Sequence, residues 1–367
     1  MRRILSILLC LIVVFGFSSA SFAQEEDAIK SYTLSLEDAI SLAVSNDYYF
    51  TTADIKISDA QKQYEQARKD QKNMKGAIQL PQGFANIPVK QGYYVEQARI
   101  GIESAKMEKE QGKANLAYNV TELYYSYKLC EATLNSAETA YTMALNNKNV
   151  IDTQFSLGLV SELDVKNAAF ALSQAENAVA KYKRSLDVAK EAFCIKVGID
   201  SNCVLNLTDG IEFEEFSTVL DADITNAMES RYDIFMLKSA ASQAEKYMNA
   251  TIILGYSSAQ HSAANQAKVQ ADYTYDNTKK LIGLSIKTLY NDILNAKDSL
   301  FLAEKNLEIK NQEYTVAVIQ HDLGMITNSQ LTGVMNNATM AQIELENAKL
   351  TYKLAVEKYK YEITIGL

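Results

Sequence analysis

The sequence predicts a mostly α-helical protein made of two tandem copies of a long antiparallel helical hairpin, with little β-structure. Residues that interrupt helices are rare, since the 367 residues include only two prolines and 14 glycines. The chain also carries an internal duplication, which is typical of repeat architectures. Finally, a Leu-Gly turn follows a long helical stretch twice, in SLGLVSELDV at 156–165 and in DLGMITNSQL at 322–331.

The first 23 residues are interpreted as a secretory signal peptide. Arg2 and Arg3 precede the apolar run ILSILLCLIVVFGF, and small residues then lead to a cleavage site after Ala23. The run is too short for a comfortable transmembrane helix, so we expect an exported mature chain beginning at Gln24. Without the two positive charges of the leader, the net charge of −9 becomes −11, which argues against nucleic acid as a partner.

The duplication is visible when the sequence is compared with itself. A shift of 184 residues superimposes the first helix of each half, so that Ala43 and Tyr48 fall on Ala227 and Tyr232. A shift of 166 residues superimposes the later part of each half, including both Leu-Gly turns. The difference of 18 residues indicates an insertion in the first half, which we expect at 73–92 as a short vestigial strand or loop containing both prolines.

The two shifts divide the expected mature chain into three parts. These are a first helical hairpin repeat at 24–198, an inter-repeat segment at 199–220 and a second repeat at 221–367. The inter-repeat segment is rich in turn formers and short apolar alternations, so we expect it to form a small strand-containing patch. Within the repeats the predicted helices lie at 36–72, 94–155, 161–197, 221–253, 262–321 and 327–364.

Apolar residues at alternating spacings of four and three indicate the seam of each hairpin. In the first long helix they run from Leu116 to Ala144, and in the second from Ile282 to Leu307. A strict seven-residue repeat of this kind is typical of coiled coils. The returning helix offers small residues beginning at Ala168, which let helix axes approach closely. The pattern predicts an antiparallel hairpin and by itself no function.

Cysteine and histidine, which form disulfides and metal sites in other proteins, are scarce in this sequence. The expected mature chain has three cysteines, Cys130, Cys194 and Cys203, and an odd number does not make a disulfide framework. Cys194 and Cys203 are near enough in sequence to bridge across a loop, and three buried thiols are the alternative. Two distant histidines, His261 and His321, do not form a metal pair. We therefore expect no enzyme, no metal and no cofactor.

The segment LSLEDAISLAVSNDYYFTTADIKISDAQKQYEQA at 34–67 resembles the opening helix of TolC-like outer membrane efflux proteins. The two Leu-Gly tips, the duplication and the intervening short segment match the plan of that family as well. The resemblance implies a TolC-like α-barrel protomer, a homotrimer in the outer membrane and periplasm, and a passive exit duct. Such a duct serves a tripartite efflux pump or a type I secretion system, together with a periplasmic adaptor and an inner-membrane transporter.

The resemblance also implies where the adaptor docks, because in that family it binds at the hairpin tips. The matching residues here are Gly158, Leu159, Val160, Gly324, Met325 and Ile326. A glycine turn lets backbones approach closely, and an exposed apolar neighbour fits a partner helix. The alternative interpretation, which is compatible with the first, is a simple capping turn with Ser161 or Thr327 as the N-cap.

The family narrows its inner mouth with polar residues near the tips, and the match here is partial. Asp164 stands where the first tip of the family carries an aspartate, although a solvated charge at a helix start is the alternative. At the second tip the family's tyrosine, arginine and two aspartates are replaced by His321, Ile326, Gln330 and Gly333. Asp164, His321 and Gln330 are therefore the aperture candidates, and an acidic constriction ring is not expected.

The chain departs from the family in its membrane segments. Membrane strands need about 9–11 residues each, and the segments at 73–92 and 250–263 are too short for two strand pairs. We therefore expect a reduced or missing membrane β-barrel. This departure leaves a second hypothesis, a structural or scaffolding coiled-coil protein of the cell envelope without channel activity, and a third, a secreted binding protein. It also leaves open the extracytoplasmic face of an unusual envelope as the location.

Overall fold

The computed structural model describes residues 30–73, 92–211, 214–253 and 257–366. The predicted signal peptide lies outside these residues, and so does nearly all of the predicted insertion. The part of the chain that the structure describes is dominated by long α-helices, and its strands form one two-stranded sheet. The predicted fold class is therefore confirmed, while the exact limits of the two repeats stay a prediction.

The first half contributes one strand and four helices to the described structure. Strand β1 covers Lys30–Leu34, and the short helix α1 covers Leu36–Asn46. Helix α2 covers Tyr48–Asn73, and the long helix α3 covers Tyr93–Ser156. Helix α4, Glu162–Val197, returns alongside α3.

The second half repeats this order. Strand β2 covers Cys203–Leu207, and α5 and α6 cover Leu220–Ser230 and Tyr232–Ile253. The long helix α7 covers Ser258–Asp322, and α8 returns along it at Asn328–Glu362. The two hairpins meet through α3 and α8, so the helices follow the order α4, α3, α8, α7 across the molecule. Helices α4 and α7 therefore lie at the two edges.

The seam residues predicted from the heptads pack between the helices of each hairpin. Ile282, Ile286, Leu289 and Ile293 are buried in the second hairpin, and the row continues as far as Ala303. In the first hairpin the buried seam residues are Leu116, Val120, Tyr127, Ala137 and Ala144, while Leu123, Cys130 and Leu134 are half-buried. The core is a pair of long seams, because two helices joined by a tight turn bury one stripe of each.

One prediction was wrong: the first helix of each half is not continuous. The backbone becomes extended at Asp47 (φ −82°, ψ 116°) between α1 and α2, and at Arg231 (φ −68°, ψ 138°) between α5 and α6. At the first break, Oδ1 of Asp47 accepts a hydrogen bond from the Tyr49 backbone N–H at 2.9 Å, so Asp47 caps the helix that follows. A polar side chain makes this break, and neither proline nor glycine, the residues that most often interrupt helices, stands beside it.

At each break a polar side chain donates a hydrogen bond to the end of the returning helix. In the first half, Nδ2 of Asn46 donates to the carbonyl oxygens of Val197 and Gly198 at 2.9 Å and 3.2 Å. In the second half, Oγ of Ser230 donates to the carbonyl oxygen of Thr364. Carbonyl oxygens at a helix end have no partner within the helix. These hydrogen bonds therefore satisfy carbonyl oxygens that would otherwise need water.

The predicted strand-containing patch is present where β1 and β2 pair in parallel, with Lys30 opposite Cys203. Leu205 and Leu207 of β2 are buried. The buried Tyr124 of α3 links the sheet to the helices: its hydroxyl donates to the Leu34 carbonyl oxygen at 3.1 Å and accepts from the Asp209 N–H at 2.8 Å. Burial raises the pKa of Tyr124, so the hydroxyl keeps the proton that it donates.

Candidate functional site

The first hairpin tip is a tight glycine turn between α3 and α4. Gly158 has φ +73°, a left-handed conformation that glycine adopts at little cost. The N–H of Gly158 donates to the Phe155 carbonyl oxygen at 2.9 Å, and the N–H of Leu159 donates to the Gln154 carbonyl oxygen at 2.9 Å. This pair of hydrogen bonds is the Schellman motif, which satisfies the last carbonyls of a helix.

The second tip, between α7 and α8, repeats this geometry. Gly324 has φ +69°. Its N–H donates to the His321 carbonyl oxygen at 2.8 Å, and the N–H of Met325 donates to the Gln320 carbonyl oxygen at 2.8 Å. The two Leu-Gly sequences therefore fold into the same turn, and the chain has two equivalent tips.

The helix that leaves each tip begins with a capping box. Ser161 Oγ accepts from the Asp164 N–H at 3.3 Å, and the Asp164 carboxylate accepts from the Ser161 N–H at 2.9 Å. Thr327 and Gln330 make the same reciprocal pair, at 3.2 Å and 2.8 Å. The predicted N-caps are thus confirmed. The hydrogen bonds from the Ser161 side chain and backbone lower the pKa of Asp164, so this carboxylate is held in its charged form at the start of α4.

Exposed apolar side chains flank the glycine at each tip. Leu159 is 70% exposed and Met325 is 68% exposed, whereas Val160 and Ile326 are half-buried against the hairpins. The residues before the glycines, Leu157 and Leu323, are exposed to the same extent and were missed from the sequence. Their signal was present, because both repeats place leucine immediately before the turn glycine. Each tip therefore exposes two leucine-sized side chains.

The three aperture candidates do not meet within one protomer. Asp164 lines a polar groove between α4 and α8, together with Asn147 and Asn328. Gln330 lines a different groove, between α7 and α8, beside residues of α7 and Ile326. His321 lies in the last turn of α7, with Nδ1 3.6 Å from Oδ1 of Asp322. An aperture made by all three residues stays a prediction, and it requires contacts between copies.

The described residues hold no group of three His, Cys, Asp or Glu side chains that could bind a metal ion. No helix in the described ranges combines the length and the apolar character that crossing a membrane requires.

Solved structures resemble this chain, although no protein-family model and no curated protein matches it. A membrane protein from Pseudomonas aeruginosa has a TM-score of 0.72 at 13% sequence identity, with 90% of each chain covered. The CmeC outer membrane channel from Campylobacter jejuni has a TM-score of 0.70 at 15% identity, covering 89% of this chain and 85% of that chain. The outer membrane protein VceC from Vibrio cholerae has a TM-score of 0.69 at 13% identity, covering 90% of this chain and 96% of that chain.

This chain has the fold of outer membrane channels. The resemblance to TolC-like proteins that was predicted from residues 34–67 and from the two tips is thereby confirmed at the level of the fold. The likeness covers nine-tenths of the chain, so it includes both hairpins of the channel fold.

Replacing Gly158 with alanine is expected to destabilise the first tip of this channel fold by about 1–2 kcal/mol, the cost of a left-handed conformation for an L-residue. A Cβ at this position meets no atom within 4 Å, so backbone strain is the whole cost. Amide hydrogen exchange at Gly158 and Leu159 is expected to become roughly tenfold faster.

The control for this prediction is Gly101→Ala in the third turn of α3. A Cβ there also meets no atom within 4 Å, but the backbone is helical. Alanine at this position is expected to slow local exchange, because it is a better helix former than glycine. Equal exchange rates in wild type and Gly158→Ala would contradict the strained-turn interpretation.

Proposed function

We propose that this protein is the exit duct of a tripartite efflux pump or of a type I secretion system. It is a homotrimer of the outer membrane and periplasm that works as a passive conduit with a periplasmic adaptor and an inner-membrane transporter. The fold of outer membrane channels supports this proposal. The observation that carries it is that both edge helices in the described chain carry a row of apolar side chains that are more than half exposed.

The face on α7 lies beside its seam with α8, and Ile309 and Val316 also line the groove between the two helices. Leu302, Ile309 and Val316 are spaced seven residues apart and are 65%, 53% and 52% exposed. Leu284 and Ile319, at 61% and 56%, extend the face along the helix. Helix α7 therefore carries two apolar heptad rows, one buried in the seam and one exposed. Two such rows indicate a helix that packs against neighbours on two sides, and the protomer itself supplies the neighbour at the seam.

The other edge helix, α4, has a corresponding face. Leu163 and Phe170 are seven residues apart and are 64% and 65% exposed, while the seam residue Ala168 between them is buried. Val188 and Ile195 form a second pair seven residues apart at the other end of the helix, at 66% and 71%. The small residues of α4 face α3, so these exposed apolar residues lie on another side of the same helix.

The two faces are different surfaces at opposite edges, so contact between α4 of one copy and α7 of the next is heterologous. Such contacts close into a ring when the rotation between copies allows it. A protomer that is four helices wide gives a tube of twelve helices in a trimer. Burial of the edge faces supplies the driving force for closure.

The hairpin tips are the proposed docking site for the adaptor. Three copies bring six Leu-Gly tips to one end of the tube, each with two exposed apolar side chains. An adaptor whose helical hairpin carries an apolar stripe fits this arrangement, because the tips bury their exposed side chains against it. No catalytic step is part of the proposal.

Docking is tested by changing Leu159 and Met325 together to serine. Removing two apolar side chains from a buried contact is expected to weaken binding of an adaptor hairpin by roughly a hundredfold. Ile55→Ser is the control, because Ile55 is 56% exposed on α2, away from the tips. Binding is measured with the purified protein and the adaptor of the same organism.

The native mass of the purified protein decides between the duct and the scaffold. A trimer that binds an adaptor hairpin supports the duct. A monomer without affinity for any adaptor contradicts the proposal and favours the envelope scaffold.

A further inference from the structure

Two of the three cysteines expected in the mature chain lie against each other. The Sγ atoms of Cys194 and Cys203 are 4.0 Å apart, and the structure holds both residues as thiols. Both are buried, with 0% and 4% of their surface exposed. Two buried thiols in contact therefore lie where the last turn of α4 meets the first residue of β2.

The chain between them is short and turns sharply. Helix α4 ends with Gly198 in a left-handed conformation, and β2 begins at Cys203. The two sulphur atoms face each other across this turn because β2 packs back on the end of α4. Bonded sulphurs lie about 2.05 Å apart, so the thiols must close by about 2 Å, which is within reach of a side-chain rotation.

We infer that Cys194 and Cys203 form an intramolecular disulfide when the exported chain folds. The inference rests on the proposed location outside the cytoplasm, where disulfides form and persist. Sequence spacing alone left a bridge open and favoured three separate buried thiols. The contact between the two buried sulphurs is the observation that selects the bridge.

The chemistry is thiol–disulfide exchange with a dithiol oxidoreductase or another disulfide as the oxidant. One cysteine loses its proton, and its thiolate attacks the disulfide of the oxidant to give a mixed disulfide and one released thiol. The second cysteine then loses its proton, and its thiolate attacks the mixed disulfide. The bond between Cys194 and Cys203 forms, and the oxidant leaves as a dithiol with the two electrons and, overall, two protons.

The order of events follows from burial. In the folded thiol form, burial raises the pKa of Cys194 to about 12, and the neighbouring thiol of Cys203 adds to this effect. A thiol of this kind is a poor nucleophile, and an oxidant cannot reach it. The attack on the oxidant must therefore precede the docking of β2 on α4, and the second attack closes the bridge as β2 docks. The Lys190 ammonium group, which donates to the Cys203 carbonyl oxygen, stabilises a thiolate beside the pair as they come together.

The disulfide holds the end of the returning helix α4 in the first half. The second half holds the end of its returning helix, α8, in a different way. Strand β2 pairs with β1, so a bond from α4 to β2 also holds the segment that leads into α1. The second predicted repeat, 221–367, has no cysteine, and there the end of α8 is held by an ion pair with the buried Arg231. Cys130 is half-buried in α3 and is expected to stay a thiol.

The test compares the full chain with a version that lacks residues 2–23 and stays in the reducing cytoplasm. Free thiols are blocked in intact cells with a membrane-permeant alkylating agent, and the purified protein is mapped by non-reducing mass spectrometry. In the full chain we expect a bridged peptide pair that contains Cys194 and Cys203, together with alkylated Cys130. When the leaderless chain is denatured and then alkylated, we expect all three cysteines to be modified. Cys130→Ser should keep the bridge, and Cys203→Ser should abolish it.

The outcomes separate this inference from the proposed function. A processed chain, cleaved after Ala23, with both thiols free overturns the disulfide and leaves the duct untouched. A chain that is not processed removes the support for export. The purified full chain is then unfolded, refolded with reduced and oxidised glutathione and mapped again. Free thiols in the refolded helical protein overturn the inference, and a bridge between Cys194 and Cys203 supports it.

Discussion

Replacing Arg231 with methionine is expected to lower the free energy of unfolding by about 3–5 kcal/mol, the typical cost of removing one partner from a buried ion pair. The Arg231 guanidinium is buried at the break between α5 and α6. It forms two hydrogen bonds with the Asp233 carboxylate, at 3.0 Å and 2.9 Å. Its Nη1 also donates to the carbonyl oxygen and the carboxylate of Glu362, at 2.8 Å and 2.5 Å. The substitution leaves the mostly buried Glu362 carboxylate without this partner.

Charge and packing both fix Arg231 in this place. Burial disfavours the charged form, but hydrogen bonds to Asp233 and Glu362 outweigh it, so the pKa of Arg231 is raised above its ordinary value. A raised pKa means that the contribution to stability is complete below the ordinary pKa and is lost only as the pH rises through the folded value. The backbone of Gly366 packs on the guanidinium so closely that a Cβ there would lie 2.7 Å from Nη2.

Arg99→Met is the matched control for this prediction. Arg99 makes a comparable pair with Glu96 on the surface of α3, with Nη2 2.9 Å from Oε1, but its side chain is 55% exposed. Exposed pairs typically contribute about 0–1 kcal/mol, so the change should be small. Thermal or denaturant unfolding at equal protein concentration measures both variants, since assembly couples stability to concentration. A loss below about 1 kcal/mol for Arg231→Met would show that the buried pair is not needed.

A second variant checks the physical reason for the loss. Adding Glu362→Gln to Arg231→Met removes the carboxylate that lost its partner, so the double variant should be more stable than the single one. If the double variant is equally unstable or less stable, the packing of the arginine side chain is the main contribution, and the unpaired charge is not.

The sequence predicts the parts of this fold that follow from repetition along the chain. The heptads from Leu116 and from Ile282 predict the two seams, because a seven-residue period places side chains on one face of a helix. The capping turns follow from Ser161 and Thr327, since hydroxyl side chains three residues before a polar partner favour a helix start. These signals are local, and one sequence is sufficient to detect them.

The features that the sequence missed depend on contacts between distant segments. The break at Arg231 is stabilised by Glu362, 131 residues further along the chain. The sequence raised contact between Cys194 and Cys203 without deciding it, because the position of β2 also depends on its pairing with β1 at the opposite end of the first half. Leu157 and Leu323 differ, because their signal is local and lies in the leucine that precedes each turn glycine. At Arg231 and at the two cysteines the local sequence allows several arrangements, and tertiary packing selects one.

The second large effect is expected on the assembly of the proposed trimer. Leu302, Ile309 and Val316 form one continuous row on α7. Changing all three to glutamate is expected to convert the proposed trimer into monomers. Each new carboxylate must lose its water at the interface, which costs several kcal/mol unless it finds a partner. The cost is repeated at every contact around the ring. All three side chains are more than half exposed in the protomer, so we expect the helical content of the monomer to be unchanged.

Native mass spectrometry and circular dichroism measure the two parts of this expectation. Thr351→Glu is the control, because Thr351 is exposed on the central helix α8 and its Oγ1 donates to the Asn347 carbonyl oxygen of its own helix. This control should remain trimeric. Lowering the pH through the ordinary pKa of glutamate, about 4.3, neutralises the three side chains and should restore part of the trimer. If the triple variant is still a trimer at neutral pH, the row on α7 lies outside the interface, and the copies must meet through another face.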